Sequence, residues 1–274
     1  MSTTITGGVD SRAAYAFSNS SDQAPDQLGS LEYFLDPVTT GVLDKLPIQP
    51  GERCLEIGPG RGSIARYLAG RVGPTGRVVA VDLDPSRLAP GGNLDIHRHD
   101  IRDGLPVDGP FTVIHARLVL VHLPERRDVV RMLVDALAPG GWLVLGEFGD
   151  QPTTVYNSPS DSDSDSDLYR RVIQTVQRVL EDHGVDIGWA DDAHAAMREA
   201  GLGDIHVIEH AESWPGGSNG SRLHHSNTLQ KQDELLAHGL TAAELDRFRE
   251  LMADPGFAAR SYRFVCTRGR RPPQ

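Results

Sequence analysis

The sequence predicts an α/β domain built on a doubly wound parallel sheet. Three observations carry the prediction. Between residues 52 and 150, short β-branched runs alternate with segments of helical periodicity; a glycine loop joins the first run to the first helix of that series; and three successive runs carry an acidic residue at or near their ends. Alternation at this spacing buries each strand between helices on both faces of the sheet.

Taken in order, residues 1–30 are small and polar, with a mixed pattern from about Tyr15. Leu28, Leu31, Phe34 and Leu35 fall at helical spacing, and Asp36-Pro37 punctuates that helix. A second helix is expected over roughly 38–46, stopped by Ile48-Gln49-Pro50-Gly51. Cys54-Leu55-Glu56-Ile57 is a short apolar run ended by glycines and reads as a strand. Ile64, Ala65, Leu68, Ala69 and Val72 form a helical stripe halted by Gly73-Pro74. Residues 77–82, 94–100 and 111–115 read as strands from their β-branched content and alternation. A helix around 126–137 is expected to end at Ala138-Pro139-Gly140-Gly141, and residues 142–147 give the fifth strand.

The rhythm breaks at 151–167, a polar stretch that reads as a solvated linker. Its DSDSDSD repeat lacks the turn glycine and bidentate Glu of a calcium loop. Residues 168–183 form an amphipathic helix with Val172, Ile173, Val176, Val179 and Leu180 on one side. Further helices are expected at 193–200, 225–237 and 242–252, and strands at 204–210 and 261–267. The tail GRRPPQ reads as a frayed end.

Charge narrows the function. The 274 residues carry 27 Lys and Arg against 38 Asp and Glu, a formal charge of −11. Binding to nucleic acid or an anionic membrane rests on clustered basic residues, so neither is expected as a partner. No run of 18 apolar residues occurs, and the first 22 residues have neither a basic nor an apolar leader region, so no signal peptide is expected. Two cysteines, Cys54 and Cys266, without CxxC spacing, suit a reducing cytoplasm and give no zinc site. His224-His225 lacks a third ligand at sensible spacing, so no metal is expected.

The informative segment is Leu55-Glu56-Ile57-Gly58-Pro59-Gly60-Arg61-Gly62-Ser63, a strand, a glycine turn and a helix start. It lacks the Gly-Lys-Ser/Thr of a phosphate loop, and its GxGxG spacing differs from the GxGxxG of a dinucleotide site. Glu56, two residues before the first glycine, would repel a pyrophosphate and favour a cation such as an amino-acid ammonium. S-adenosylmethionine carries an ammonium and a sulfonium and no phosphate. Asp82, 26 residues after Glu56, closes the next strand, where a carboxylate accepts from ribose hydroxyls; Leu83 follows where an adenine face would rest, and Asp84 is an alternative acceptor. Asp100 closes the third strand, next to Ile101, either as a helix cap or as an acceptor for the adenine amino group, with the Ile101 N–H donating to a ring nitrogen.

The runs LEIGPGRG, VVAVD, HDI, FTVIHARLVLVHLP and LAPGGWLVLGEF resemble the class I methyltransferase family, over roughly residues 48–150, and the flanking helices resemble those of bacterial secondary-metabolite methyltransferases. The resemblance implies a Rossmann-like, seven-stranded, mostly parallel sheet whose last strand is antiparallel, with N-terminal helices and helical insertions. It implies S-adenosylmethionine as cofactor, held by Glu56, Gly58, Gly60, Arg61, Ser63, Asp82, Leu83, Asp100, Ile101, Ala116 and Arg117. It also implies that Cys54 and Cys266, on non-neighbouring strands, are free buried thiols. The expected division is a helical lid over 1–48, the cofactor-binding core over 49–150, and the rest of the sheet with substrate-covering helices over 151–274.

Methyl transfer from a sulfonium needs a positioned nucleophile and a dry site, and a general base only when the nucleophile must lose a proton. The catalytic candidates are His122, a base or a turn histidine, Glu147, a substrate-facing acid or a cap, and Tyr15, an aromatic of the lid; His115, inside a strand, reads as structural. Tyr156, Trp214, His224 and His225 fall in insertions where the resemblance places substrate pockets, although packing explains each taken singly. The expected function is methylation of a small organic acceptor, a secondary-metabolite intermediate, in the cytoplasm, with a homo-oligomer compatible with the N-terminal segment. A fold-related enzyme that binds the same cofactor but catalyses a cyclisation is the alternative.

Overall fold

The protein is described by a computed structural model covering residues 24–160 and 163–273. A seven-stranded sheet runs in the order β3-β2-β1-β4-β5-β10-β7. Its members are β1 (Arg53–Ile57), β2 (Arg77–Asp82), β3 (Leu94–Arg98), β4 (Phe111–Arg117), β5 (Leu137–Gly149), β7 (Gly203–His210) and β10 (Arg263–Arg270). The first five pair in parallel, and β10 inserts antiparallel between β5 and β7. A second sheet of three short strands, β6 (Val155–Asn157), β9 (Ala258–Arg260) and β8 (Ser213–Pro215), staples the segments beyond residue 150 together. The sequence reading missed all three short strands.

Helices cover both faces. One apolar layer joins Leu55, Ile57, Ile114, Leu143 and Leu145 to α3 (Arg126–Asp135) and α5 (Trp189–Glu199). The other joins Cys54, Val78, Val113, Val144 and Phe264 to α1 (Ala24–Leu43), α2 (Ser63–Val72) and Leu223 of α6 (Asn219–Gln230). The split follows strand alternation: successive side chains of β1 and β5 enter opposite layers. A third cluster packs α4 (Ser164–Asp182) against α8 (Ala242–Ala253), with Leu235 of α7 (Gln232–Ala237). No described helix is long and apolar enough to cross a membrane.

Five local expectations are corrected. Helix α1 runs through Pro37 without a break. A proline in a helix leaves one carbonyl without its usual donor, yet packing of Phe34, Leu35, Val42 and Leu43 holds the helix together, and the Thr40 hydroxyl donates to the Asp36 carbonyl. The Pro139-Gly140-Gly141 segment is strand, because β5 starts at Leu137 and absorbs a register shift opposite Phe111 and Val113. The Ser/Asp repeat is not all linker: α4 begins at Ser164, its early acids favoured by the helix dipole, and Asp165 is buried against Arg247 at 2.9 Å. The helix expected over 225–237 is two, α6 and α7. The basic tail is tied down, since the Arg271 N–H donates to the Gly141 carbonyl and its guanidinium to carbonyls of 134, 135 and 137.

Cys54 and Cys266 are free and buried, on strands separated by β4 and β5, and burial pushes both thiols up to about 12.

Candidate active site

The ends of β1, β2 and β4 and the start of α2 meet under α1. The turn after β1 needs glycine at two positions. Gly58 has φ +65, and a Cβ there would lie 2.3 Å from Val119 Cγ2; Gly62 has φ +83, and its Cβ would lie 2.1 Å from Leu88 Cδ1. Both exclude a side chain on conformational and steric grounds. Gly60 lies between them.

Glu56 is 2% exposed, and its Oε2 is 2.7 Å from His115 Nδ1 on the neighbouring strand. At the end of β2, Asp82 accepts the Asp84 N–H at 2.9 Å, with the Gly60 N–H also directed at it. Burial raises the Asp82 carboxyl above its usual range, partly offset by those two N–H groups. Leu83 beside it is 54% exposed, an apolar surface left open at the strand end. Asp100 is built as a cap: it accepts the Arg102 N–H and takes a bidentate pair from the Arg102 guanidinium at 2.7–3.0 Å. Ile101 and Ala116 are buried.

Arg61, Ser63 and Arg117 converge on α1. Asp36 Oδ1 accepts from Ser63 Oγ at 3.1 Å and from Arg117 Nη1 at 2.8 Å, and Arg117 also reaches Thr39 Oγ1 at 3.2 Å. Arg61 Nη1 lies 3.7 Å from Glu32 Oε2. Glu32, Asp36 and Thr39 therefore present one polar face of α1 to the glycine loop and the end of β4. Sequence reading missed this trio, taking Asp36 as punctuation; the signal was the i, i+4, i+7 spacing on an otherwise apolar helix.

After β4 the chain turns sharply. Leu118 has φ +55, a strained conformation for a branched side chain. A 3-10 turn, Leu120–His122, follows. Glu147 Oε1 accepts the N–H groups of Leu120 (3.1 Å) and Val121 (3.3 Å). The carboxyl is 1% exposed and points, with Leu143 and Leu145, into the α3/α5 layer beside Trp189. Of the two readings open for Glu147, this geometry matches the cap. Burial pushes its pKa up to about 8. His122 is partly buried, and burial together with Arg126 holds its pKa down to about 4.

Trp214 and His224 are packed inside. His224 is edge-on to Trp214, Tyr169 and Tyr262, and its Nε2 lies 3.1 Å from the Tyr169 hydroxyl. Tyr156 is exposed on the small sheet and His225 is half-buried. Tyr15 lies outside the described residues. Among the described residues, no three His, Cys, Asp or Glu side chains group as a metal site would.

Residues 31–207 match the family model described as "Methyltransferase domain". The chain belongs to this methyltransferase family. The match takes in Glu56, Asp82 and Asp100, the glycine loop, the Leu118–His122 turn and Glu147. The chain is 30% identical to the ubiquinone/menaquinone biosynthesis C-methyltransferase UbiE of Ectopseudomonas mendocina over 171 residues, 52% of this chain and 66% of that protein. It is 28% identical to the 27-O-demethylrifamycin SV methyltransferase of Amycolatopsis mediterranei over 188 residues, 65% of this chain and 63% of the relative. It is 35% identical to methyltransferase str2 of Strobilurus tenacellus over 106 residues, 37% and 38% of the two chains. The chain thus spans less than two thirds of the length of each of these relatives. Among solved structures, phosphoethanolamine N-methyltransferase 2 of Haemonchus contortus, in complex with S-adenosyl-L-methionine, superposes with a TM-score of 0.57 at 15% identity, covering 97% of this chain and 61% of that one. YcgJ of Bacillus subtilis superposes at 0.54 with 14% identity, covering 87% and 100%. The seven-stranded sheet with one antiparallel strand is therefore the methyltransferase fold.

Proposed function

We propose that the chain transfers a methyl group from S-adenosylmethionine to a small organic acceptor, a secondary-metabolite intermediate. The observation that carries this reading is the grouping of acids at strand ends around a glycine turn: buried Glu56 and half-buried Asp82 and Asp100 form an anionic crown suited to a cationic nucleoside. The residues fit the cofactor. Asp82 accepts from the ribose hydroxyls, Leu83 offers an apolar face to the adenine, and Asp100 with Ile101 meets its polar edge. Gly58 and Gly60 allow close backbone approach, Glu56 faces the ammonium end, and Arg61, Ser63, Ala116 and Arg117 close the channel under α1. The sulfonium supplies a methyl group already bonded to a good leaving group.

What the protein adds is positioning and exclusion of water. Helix α1 acts as a lid, with Asp36 fastening it to Ser63 and Arg117. His122, with a pKa near 4, is neutral at physiological pH and accepts a hydrogen bond from the acceptor. So weak a base favours an acceptor whose acidity rises as the methyl arrives. The relatives named for ubiquinone/menaquinone biosynthesis and rifamycin methylation support an organic acceptor, and the second of them antibiotic biosynthesis.

The test is incubation with methyl-labelled S-adenosylmethionine and a bacterial metabolite extract. Label in an organic product is expected. Product formed without label would replace methyl transfer with another reaction such as cyclisation.

A further inference from the structure

Glu147 is a buried carboxyl that the methyl-transfer scheme does not use. Its surroundings give it a definite task. The segment that leaves β4 is anchored by two consecutive residues of β5: the Gly146 carbonyl accepts the Leu118 N–H at 2.8 Å, and the Glu147 carboxyl accepts the N–H groups of Leu120 and Val121; the Val121 carbonyl in turn accepts the Asp186 N–H at 3.0 Å. The opening N–H groups of a helical turn have no partner within the turn; here one carboxyl oxygen takes both.

The turn so held touches both halves of the site. Val119, between the anchored residues, packs against Gly58 closely enough that no side chain fits there. His122 closes the same turn, its N–H bonded to the Val119 carbonyl at 3.1 Å. Leu118 sits in a strained conformation that persists only when its neighbours enforce it. The anchor is thus needed at the point where the backbone would otherwise relax.

We propose that Glu147 is a positioning residue: by gripping the Leu120 and Val121 amides it fixes the Leu118–His122 turn, setting Val119 against the glycine loop and His122 toward the acceptor. The part concerning His122 rests on the methyl-transfer reading; the part concerning the amides and the glycine loop does not. Either protonation state of the carboxyl offers an acceptor oxygen, and so does glutamine, whereas alanine offers none.

The experiment has two readouts on the full chain. In amide NMR, the Leu120 and Val121 signals of the native protein should titrate with a midpoint near 8, following the Glu147 carboxyl, and should be flat in Glu147→Gln. In calorimetry with S-adenosylmethionine, Glu147→Ala should weaken binding at least fivefold while Glu147→Gln stays within twofold of native. A role confined to general stability would lower melting temperature without moving the two amide signals. Amides that do not titrate in the native protein, or equal binding by all three proteins, would overturn the assignment. Should Glu147→Ala not fold, Glu147→Gln and the amide titration still decide. Absence of methyl transfer to any acceptor, with the amides titrating as expected, would sink the functional reading and leave this one standing.

Discussion

His115 Nδ1 lies 2.7 Å from Glu56 Oε2, and the two residues are register partners on the adjacent parallel strands β4 and β1. Both side chains are buried, at 0% and 2% exposure. The histidine therefore orients the acid that the sequence assigns to the cofactor. His115→Phe keeps the ring volume and removes the partner. Leaving a buried polar group unmatched costs about 1–3 kcal/mol, to be read by urea denaturation, and S-adenosylmethionine affinity is expected to fall severalfold in calorimetry. Lost stability with unchanged affinity would make the pair structural only.

Asp82 stands at the end of β2 beside exposed Leu83. Asp82→Ala is expected to weaken S-adenosylmethionine binding at least tenfold, a change of about 1.4 kcal/mol. Calorimetry showing native affinity would remove Asp82 from the site.

Gly58→Ala meets two obstacles, φ +65 and a Cβ 2.3 Å from Val119 Cγ2. A loss of roughly 1–3 kcal/mol in stability is expected from the strained backbone and the clash, with cofactor affinity falling in parallel. Adding Val119→Ala opens the space and not the dihedral angle, so the double variant should recover part of the loss. Full recovery in thermal melts would show that the dihedral angle costs nothing.

One oxygen of Asp36 receives both Ser63 and Arg117. Asp36→Ala should release α1 from the loop and raise the dissociation constant for S-adenosylmethionine about tenfold, with a smaller effect on melting temperature. A large fall in melting temperature with native affinity would assign Asp36 to folding alone.

Much of this frame was legible in the chain because its signals are local. The β-branched runs at 77–82 and 111–115 and the stripe from Ile64 to Val72 each carry their own periodicity, and Glu56, Asp82 and Asp100 follow from their place at run ends. What was not legible depends on residues distant in sequence. Asp165 belongs to a helix because Arg247 waits for it, 82 residues on. Arg271 is ordered because the edge of β5 accepts it. Asp36-Pro37 reads as a stop until Ser63 and Arg117 supply partners for the aspartate. Glu147 sits at the expected strand end, but only the neighbouring turn decides which way its carboxyl points.

His224 makes a pH prediction with a definite sign. Burial holds its pKa at about 3, well below the usual histidine value. The unfolded chain takes up that proton near pH 6.5 and the folded chain does not, so the neutral ring contributes stability above pH 6.5 that is lost as pH falls toward 3. The slope within this window is at most about 1.4 kcal/mol per pH unit for one site. His224→Phe should flatten that part of the stability profile. An unchanged acid slope in denaturant titrations would show that His224 is not what the acid attacks.

Cys54 and Cys266 sit in one apolar layer on strands that are not neighbours, each thiol pushed to about 12. Peroxides and alkylating metabolites attack thiolates, and the intact molecule shows them almost none. Chemical damage at either sulfur is thus a record that the sheet has come apart. A bulky adduct makes the record permanent, because the strand that carries it no longer fits back between its neighbours.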